Sequence, residues 1–184
     1  ANQLDVRFYR GSLVNKLQRW LDCADHFNIN SFHTIDADDP FFDGSEMIES
    51  LNLLASGGYD VVFPTESSSA GGASVGYSLT REVIKKALIN LEDDTDTEMM
   101  WFYLEKLDGV RMAILAESRL QISGIRLTLD YEEDYWLLAS IARILGNSAS
   151  RDAVNQLFLN NPDLAKVNFF RNEEWKEAQL SKNI

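Results

Sequence analysis

Two groups of carboxylates stand where short apolar runs end. Thr34 to Asp43 reads TIDADDPFFD, with Asp36, Asp38 and Asp39 crowded ahead of Pro40. Arg126 to Asp134 reads RLTLDYEED, where RLTL runs into Asp130. In an open α/β sheet, ligands bind beyond the carboxyl ends of the strands. Carboxylates placed there suit a hard divalent cation such as Mg²⁺, held against a phosphate. Two such aspartates far apart in sequence can converge on one ion, so Asp38 and Asp130 are the candidate ligands. Each also has a plainer reading. An Asp-rich segment before proline favours a turn, and Asp130 can cap the helix that follows it.

The elements that would position these residues follow from periodicity. Asp5 to Tyr9 alternates like a short strand. Ser12 can cap a helix carrying Leu13, Leu17, Trp20, Leu21, Ala24 and Phe27 on its apolar face. A strand over Ser31 to Ile35 leads into the acidic turn. Ser45 caps a second helix, Gly57 and Gly58 end it, and Tyr59 to Phe63 is an apolar strand of the buried type. This β-α-β-α-β order predicts right-handed crossovers and a parallel sheet. Beyond it, helices are expected over Thr80 to Leu91, Met100 to Leu107, Glu132 to Leu145 and Ser150 to Leu159. Tyr135, Leu138, Ile141, Ala142 and Leu145 would form the apolar face of the third of these. Strands are expected over Val110 to Leu115 and Ile125 to Leu129, and a polar tail over Arg171 to Ile184.

Composition narrows the function. The 184 residues fit one domain, over residues 1–170, and 45% hydrophobic content is enough for a core. With 17 basic against 29 acidic residues, the net charge is -12. That argues against a general nucleic-acid or anionic-membrane binder, which needs Lys and Arg. A mononucleotide held through a metal remains open. One cysteine, Cys23, cannot build a disulfide framework or a zinc-thiolate cluster. No apolar run reaches the length of a membrane span and no signal peptide is visible, so a cytoplasmic location is expected.

Other motifs carry less. Thr65 to Ser74, TESSSAGGAS, has no lysine after Gly71-Gly72 and so is not a P-loop; it reads as a surface loop. Leu91 to Glu98, LEDDTDTE, lacks the central glycine of a calcium loop and reads as a solvated connector. His26 and His33, the two histidines, have no neighbouring nucleophile, which leaves a Ser-His-Asp hydrolase without support.

Three stretches together resemble the sugar-acid cytidylyltransferase family. They are FYRGSLVNKLQRWLDCA (Phe8 to Ala24), TIDADDPFFD (Thr34 to Asp43) and RLTLDYEEDYWLLASIARIL (Arg126 to Leu145). The spore-coat polysaccharide type is the most similar, with acylneuraminate and KDO cytidylyltransferases related to it. NNPDLAKVN, Asn160 to Asn168, is similar to a family ending. The resemblance implies a Rossmann-like, glycosyltransferase-A-like nucleotidyltransferase fold, with a mixed, mostly parallel sheet flanked by helices. It implies transfer of CMP from CTP to a sugar, an acidic one in the family's pattern, with release of pyrophosphate for surface polysaccharide synthesis. Asp38 matches the aspartate of the family's G-D-x-P motif and Asp130 that of its T-v-D motif, both implied to approach Mg²⁺. Arg10, Ser12, Asp36 and Gly76 are implied near the nucleotide or sugar, and Arg19 in structural pairing.

The chain departs from the family at several points. The family's opening strand and nucleotide-holding loop have no counterpart within residues 1–184. GYSLT (Gly76 to Thr80) lacks a family glutamate, Glu98-Met99-Met100-Trp101 lacks a family histidine, and position 37 is Ala rather than Gly. These departures predict an N-terminally incomplete sheet with an open edge beside the Asp38 strand. A homo-oligomer, or a chain supplying the missing strands, would complete it, and this chain alone would bind CTP weakly. They also support an alternative: a degenerate, non-catalytic homologue that binds a sugar or a protein partner.

Overall fold

The computed structural model describes residues 5–69, 73–117, 122 and 124–182. In chain order the elements are α1 (Lys16–His26), β1 (Ser31–His33), α2 (Gly44–Ala55), β2 (Val61–Phe63), α3 (Glu66–Ser69), β3 (Ser78–Thr80), α4 (Arg81–Leu88), α5 (Trp101–Leu104), β4 (Met112–Ile114), α6 (Glu132–Leu145), α7 (Arg151–Asn160), a 3-10 turn (Pro162–Val167) and α8 (Arg171–Lys182). The chain divides into two compact units where the sequence reads as one domain. The first is Ala1–His33, Leu51–Val62 and Ser78–Ala113; the second is Thr34–Ser50, Phe63–Tyr77 and Ile114–Ile184.

The four strands form a mixed sheet in the order β1-β3-β2-β4. β3 runs antiparallel to both of its neighbours, pairing Phe32 with Leu79 on one side and Val61 with Leu79 on the other. Thus β1 and β2 share a direction, as a β-α-β reading requires, but an antiparallel strand lies between them. That strand is hard to see in sequence because it is only three residues long and runs straight into α4. Between β2 and β4, Arg111 O accepts Val61 N at 3.3 Å and Phe63 O accepts Leu115 N at 3.0 Å. This even, slanted stagger belongs to parallel strands. β1 lies at one edge of the sheet, with β3 as its neighbour.

In the first unit, the helix start is set by Asn15 rather than Ser12. Asn15 has extended backbone, and its side chain accepts the Gln18 amide at 2.9 Å. Ser12 stands one step outside, accepting the Asn15 amide at 3.0 Å. The acidic connector is not wholly solvated. Its Thr97 is fully buried, donates to Asn15 Oδ1 and accepts the Leu17 amide, both at 3.0 Å. A buried hydroxyl with both roles filled ties the connector to the start of α1. Leu17 and Ala24 of α1 are buried, as are Val83, Ile84 and Ala87 of the α4 helix packed on it.

The second unit has its own core of Phe41, Ala73, Ile125, Leu127, Leu137, Leu138, Ile141, Val154 and Phe158. On α6 the inward stripe is Asp134, Leu137, Leu138 and Ile141, an i, i+3, i+4, i+7 spacing. Tyr135, expected inside, is 61% exposed. Segment 125–129 forms no strand although Ile125 and Leu127 are buried. Arg171 to Lys182, read from sequence as a tail, is the helix α8, and Arg171 forms an ion pair with Glu133 at 2.9 Å. Asp5 to Tyr9, expected as a strand, contains no strand. The centre of the small-residue loop, 70–72, lies outside the described residues. Among the described residues no helix is long and apolar enough to cross a membrane.

Candidate active site

The acidic turn is held from beneath and from the side. Asp39 N donates to Asp36 O at 3.3 Å and Phe42 N to Asp39 O at 3.2 Å, which closes the turn. Phe41 then sinks into the second unit's core. Burying a phenyl ring is worth about 1.5–3 kcal/mol, enough to fix the turn's position. Asp38 O accepts the Leu129 amide at 2.9 Å, so the turn is pinned to the residue before Asp130. The two carboxylate segments singled out by sequence are therefore joined by their backbones.

Within the turn the three aspartates differ sharply. Asp38 is exposed, Asp36 is partly buried and Asp39 is buried. The Asp39 carboxylate accepts the Ser74 amide at 3.1 Å and is also hydrogen-bonded by the Thr128 side chain. Its pKa is pushed up to about 7, chiefly by burial and then by the negative charges of Asp38 and Asp36; the Ser74 and Thr128 hydrogen bonds only partly offset this. Asp39 thus acts as a tie between the turn, segment 73–77 and segment 125–129. Sequence alone assigns Asp39 no such role, because its partners, Ser74 and Thr128, lie in segments far from it in sequence.

Gly76 shows why that position must be glycine. Its φ is +81°, and a Cβ there would lie 1.7 Å from Thr34 O. The close approach accompanies a hydrogen bond from Thr34 N to Tyr77 O at 2.8 Å. Gly76 N donates to Ser74 Oγ at 3.1 Å. The structure thus places Gly76 in a packing role that holds segment 73–77 against Thr34.

The second carboxylate segment is built on a buried ion pair. The Arg126 side chain is 1% exposed and that of Asp134 is fully buried. Arg126 Nε donates to Asp134 Oδ1 at 2.9 Å and a terminal nitrogen of the same fork to Asp134 Oδ2 at 3.0 Å. Asp134 Oδ2 also accepts the amides of Asp130 and Tyr131, each at 3.0 Å, and Oδ1 accepts Asn168 Nδ2 at 2.9 Å. Burial raises the Asp134 pKa, but the Arg126 fork and these amides outweigh it and hold the carboxyl below its usual range. The nitrogen that meets Asp134 Oδ2 also donates to Asp130 Oδ2 at 2.6 Å. Asp130 keeps about a third of its side chain exposed, and its Oδ1 accepts no hydrogen bond among the described residues.

Asp36, Asp38, Gly76 and Asp130 all belong to the second unit. Arg10, Ser12 and Arg19 belong to the first, where Arg10 is exposed and Arg19 donates to Ser12 O at 2.8 Å. Among the described residues no three of His, Cys, Asp and Glu gather closely enough to hold a metal by themselves. The donor chemistry still fits Mg²⁺, which uses one or two carboxylates and completes its shell with water and substrate phosphates. Two exposed carboxylates, one with a free oxygen, offer that kind of partial site.

Neither a protein-family model nor a curated protein sequence matches the chain. Among solved structures, a cytidylyltransferase from Leptospira borgpetersenii serovar Hardjo-bovis (strain JB197) is similar, with a TM-score of 0.75 and 21% identity. The likeness covers 89% of this chain and 70% of that one. At that identity it establishes architecture: this chain has the mixed α/β fold, sheet flanked by helices, of a cytidylyltransferase-type nucleotidyltransferase.

Proposed function

We propose that this chain is a CTP-dependent nucleotidyltransferase that transfers CMP to an acidic sugar. The observation that carries this reading is the hydrogen bond from Leu129 N to Asp38 O. It sets an exposed acidic turn against the Asp130 segment in a fold shared with a solved cytidylyltransferase. The sugar hydroxyl attacks the α-phosphorus, the new O–P bond forms as the bond to pyrophosphate breaks, and the hydroxyl proton passes to solvent. Asp38 and Asp130 would hold Mg²⁺, whose contribution is to offset phosphate charge and orient the attacking oxygen. The protein's own part is positioning and electrostatics rather than covalent chemistry. Asp36 of the acidic turn is proposed to contact nucleotide or sugar.

The test is an assay of the protein with Mg²⁺, each of the four nucleoside triphosphates and a panel of acidic and neutral sugars. The expected result is pyrophosphate release that requires both CTP and an acidic sugar, with a CMP-sugar found by mass spectrometry. Saturable sugar binding without pyrophosphate release from any triphosphate would overturn the enzyme reading in favour of a non-catalytic sugar-binding protein.

A further inference from the structure

We infer that the buried Arg126–Asp134 pair is a positioning device for Asp130, aiming its free carboxylate oxygen at a divalent cation. The inference rests on the proposed role of Asp130 as a metal ligand and adds the residues that make it one. The pair grips Asp130 twice. Asp134 Oδ2 accepts the Asp130 amide at 3.0 Å, which fixes the backbone. Arg126 donates to Asp130 Oδ2 at 2.6 Å, which fixes the side chain. Asp134 itself has no capacity left for a ligand, since five hydrogen bonds already fill its two oxygens. Arg126 is held in its turn by Asn172 at 3.3 Å and by the Tyr131 ring, 5.2 Å from the guanidinium carbon.

Charge makes the arrangement purposeful. The single positive charge of Arg126 is balanced by Asp134 alone, so the triad carries one net negative charge. Of its three members only Asp130 reaches solvent appreciably: its side chain is 31% exposed, against 1% for Arg126 and none for Asp134. A purely structural ion pair would be complete without Asp130. Instead one oxygen of Asp130 is locked and the other left open, as hydrogen-bonded supports do for metal-ligating carboxylates. Asp130, Arg126 and Asp134 recur at four-residue intervals, and the bidentate fork that holds them needs guanidinium geometry rather than a point charge.

The experiment measures Mn²⁺ binding by electron paramagnetic resonance on the whole protein, with thermal unfolding recorded for each variant. Asp130→Asn should weaken Mn²⁺ binding by at least about tenfold. Arg126→Lys, which keeps the charge and loses the fork, should weaken it by about ten- to a hundredfold at temperatures well below its own unfolding. If Asp130→Asn binds as the wild type does, the metal-ligand reading of Asp130 fails and this inference with it. If Asp130→Asn loses Mn²⁺ but a folded Arg126→Lys keeps wild-type affinity, the metal-ligand reading survives and the positioning inference is overturned. Should Arg126→Lys not fold, Asp130→Glu decides. A longer carboxylate as defective as Asn supports a fixed position, and one with wild-type affinity overturns it.

Discussion

Asp38 accepts, through its carbonyl, the amide of Leu129 at 2.9 Å. This one bond brings a turn near position 38 against a segment some ninety residues later, and both segments carry the carboxylates on which the functional reading depends. It is a backbone bond, so it survives substitution of either side chain. Variants at Asp38 and Asp130 can therefore report on chemistry without dismantling the turn.

Asp39 should make the protein less stable as pH rises through neutrality. Its pKa in the folded state is about 7, well above the ordinary aspartate value near 3.9. Between those values the folded state holds a proton that the unfolded state has lost, so stability falls as pH rises from about 4 to about 7. The full difference is at most about 4 kcal/mol. Asp39→Asn keeps an acceptor for the Ser74 amide, and its own amide can donate to the Thr128 hydroxyl, which also accepts. It should match the wild type at pH 4 in urea denaturation and be more stable by about 2 kcal/mol or more at pH 8. Equal stability at pH 8 would remove the buried-carboxylate account.

Asp134 should act with the opposite slope. Its pKa is held below the usual range, so its contribution is present above about pH 4 and is lost as pH falls through the lower folded-state value. Removing it by Asp134→Ala leaves the buried Arg126 with only the partly exposed Asp130 as a charge partner, at a cost of about 3 kcal/mol. Urea denaturation at pH 7 measures this. A loss below about 1 kcal/mol would mean that the pair is not what holds segment 126–134.

How much of this was readable in the sequence depends on whether the signal was local. The aspartates at 36, 38, 39 and 130 stood out because carboxylates follow short apolar runs. The helix at Glu132 was clear from its 3.6-residue period. The second unit's grip on Asp130 was not clear, because Arg126 reads as an ordinary start to an apolar run and only burial reveals its charge partners. A lone basic residue before such a run, with acids four and eight positions on, is the signal that could have found it. Residues 171–182 read as a tail for a related reason. Its low hydrophobicity hides a helix held by Arg171 against Glu133, an ion pair between segments far apart in sequence. Likewise β3 is antiparallel and three residues long, too short for alternation to register.

Gly76→Ala should be among the most damaging single-methyl changes in the protein. The added carbon meets Thr34 O at 1.7 Å, and the backbone has a φ of +81° that side chains disfavour. Overpacking and backbone strain together predict a loss of about 3 kcal/mol or more. Thermal denaturation checks it. A shift of less than a few degrees would show that segment 73–77 moves freely to accept the methyl.

The central claim is that Asp38 and Asp130 serve one cation, and a double-mutant cycle on kcat/KM for pyrophosphate release tests it most directly. Asp38→Asn and Asp130→Asn should each lower kcat/KM by about a hundredfold or more. Residues that act as a unit are strongly non-additive, so the double variant should be about as impaired as the worse single one. Losses that multiply in the double variant, or a single variant with wild-type kcat/KM, would contradict a shared site.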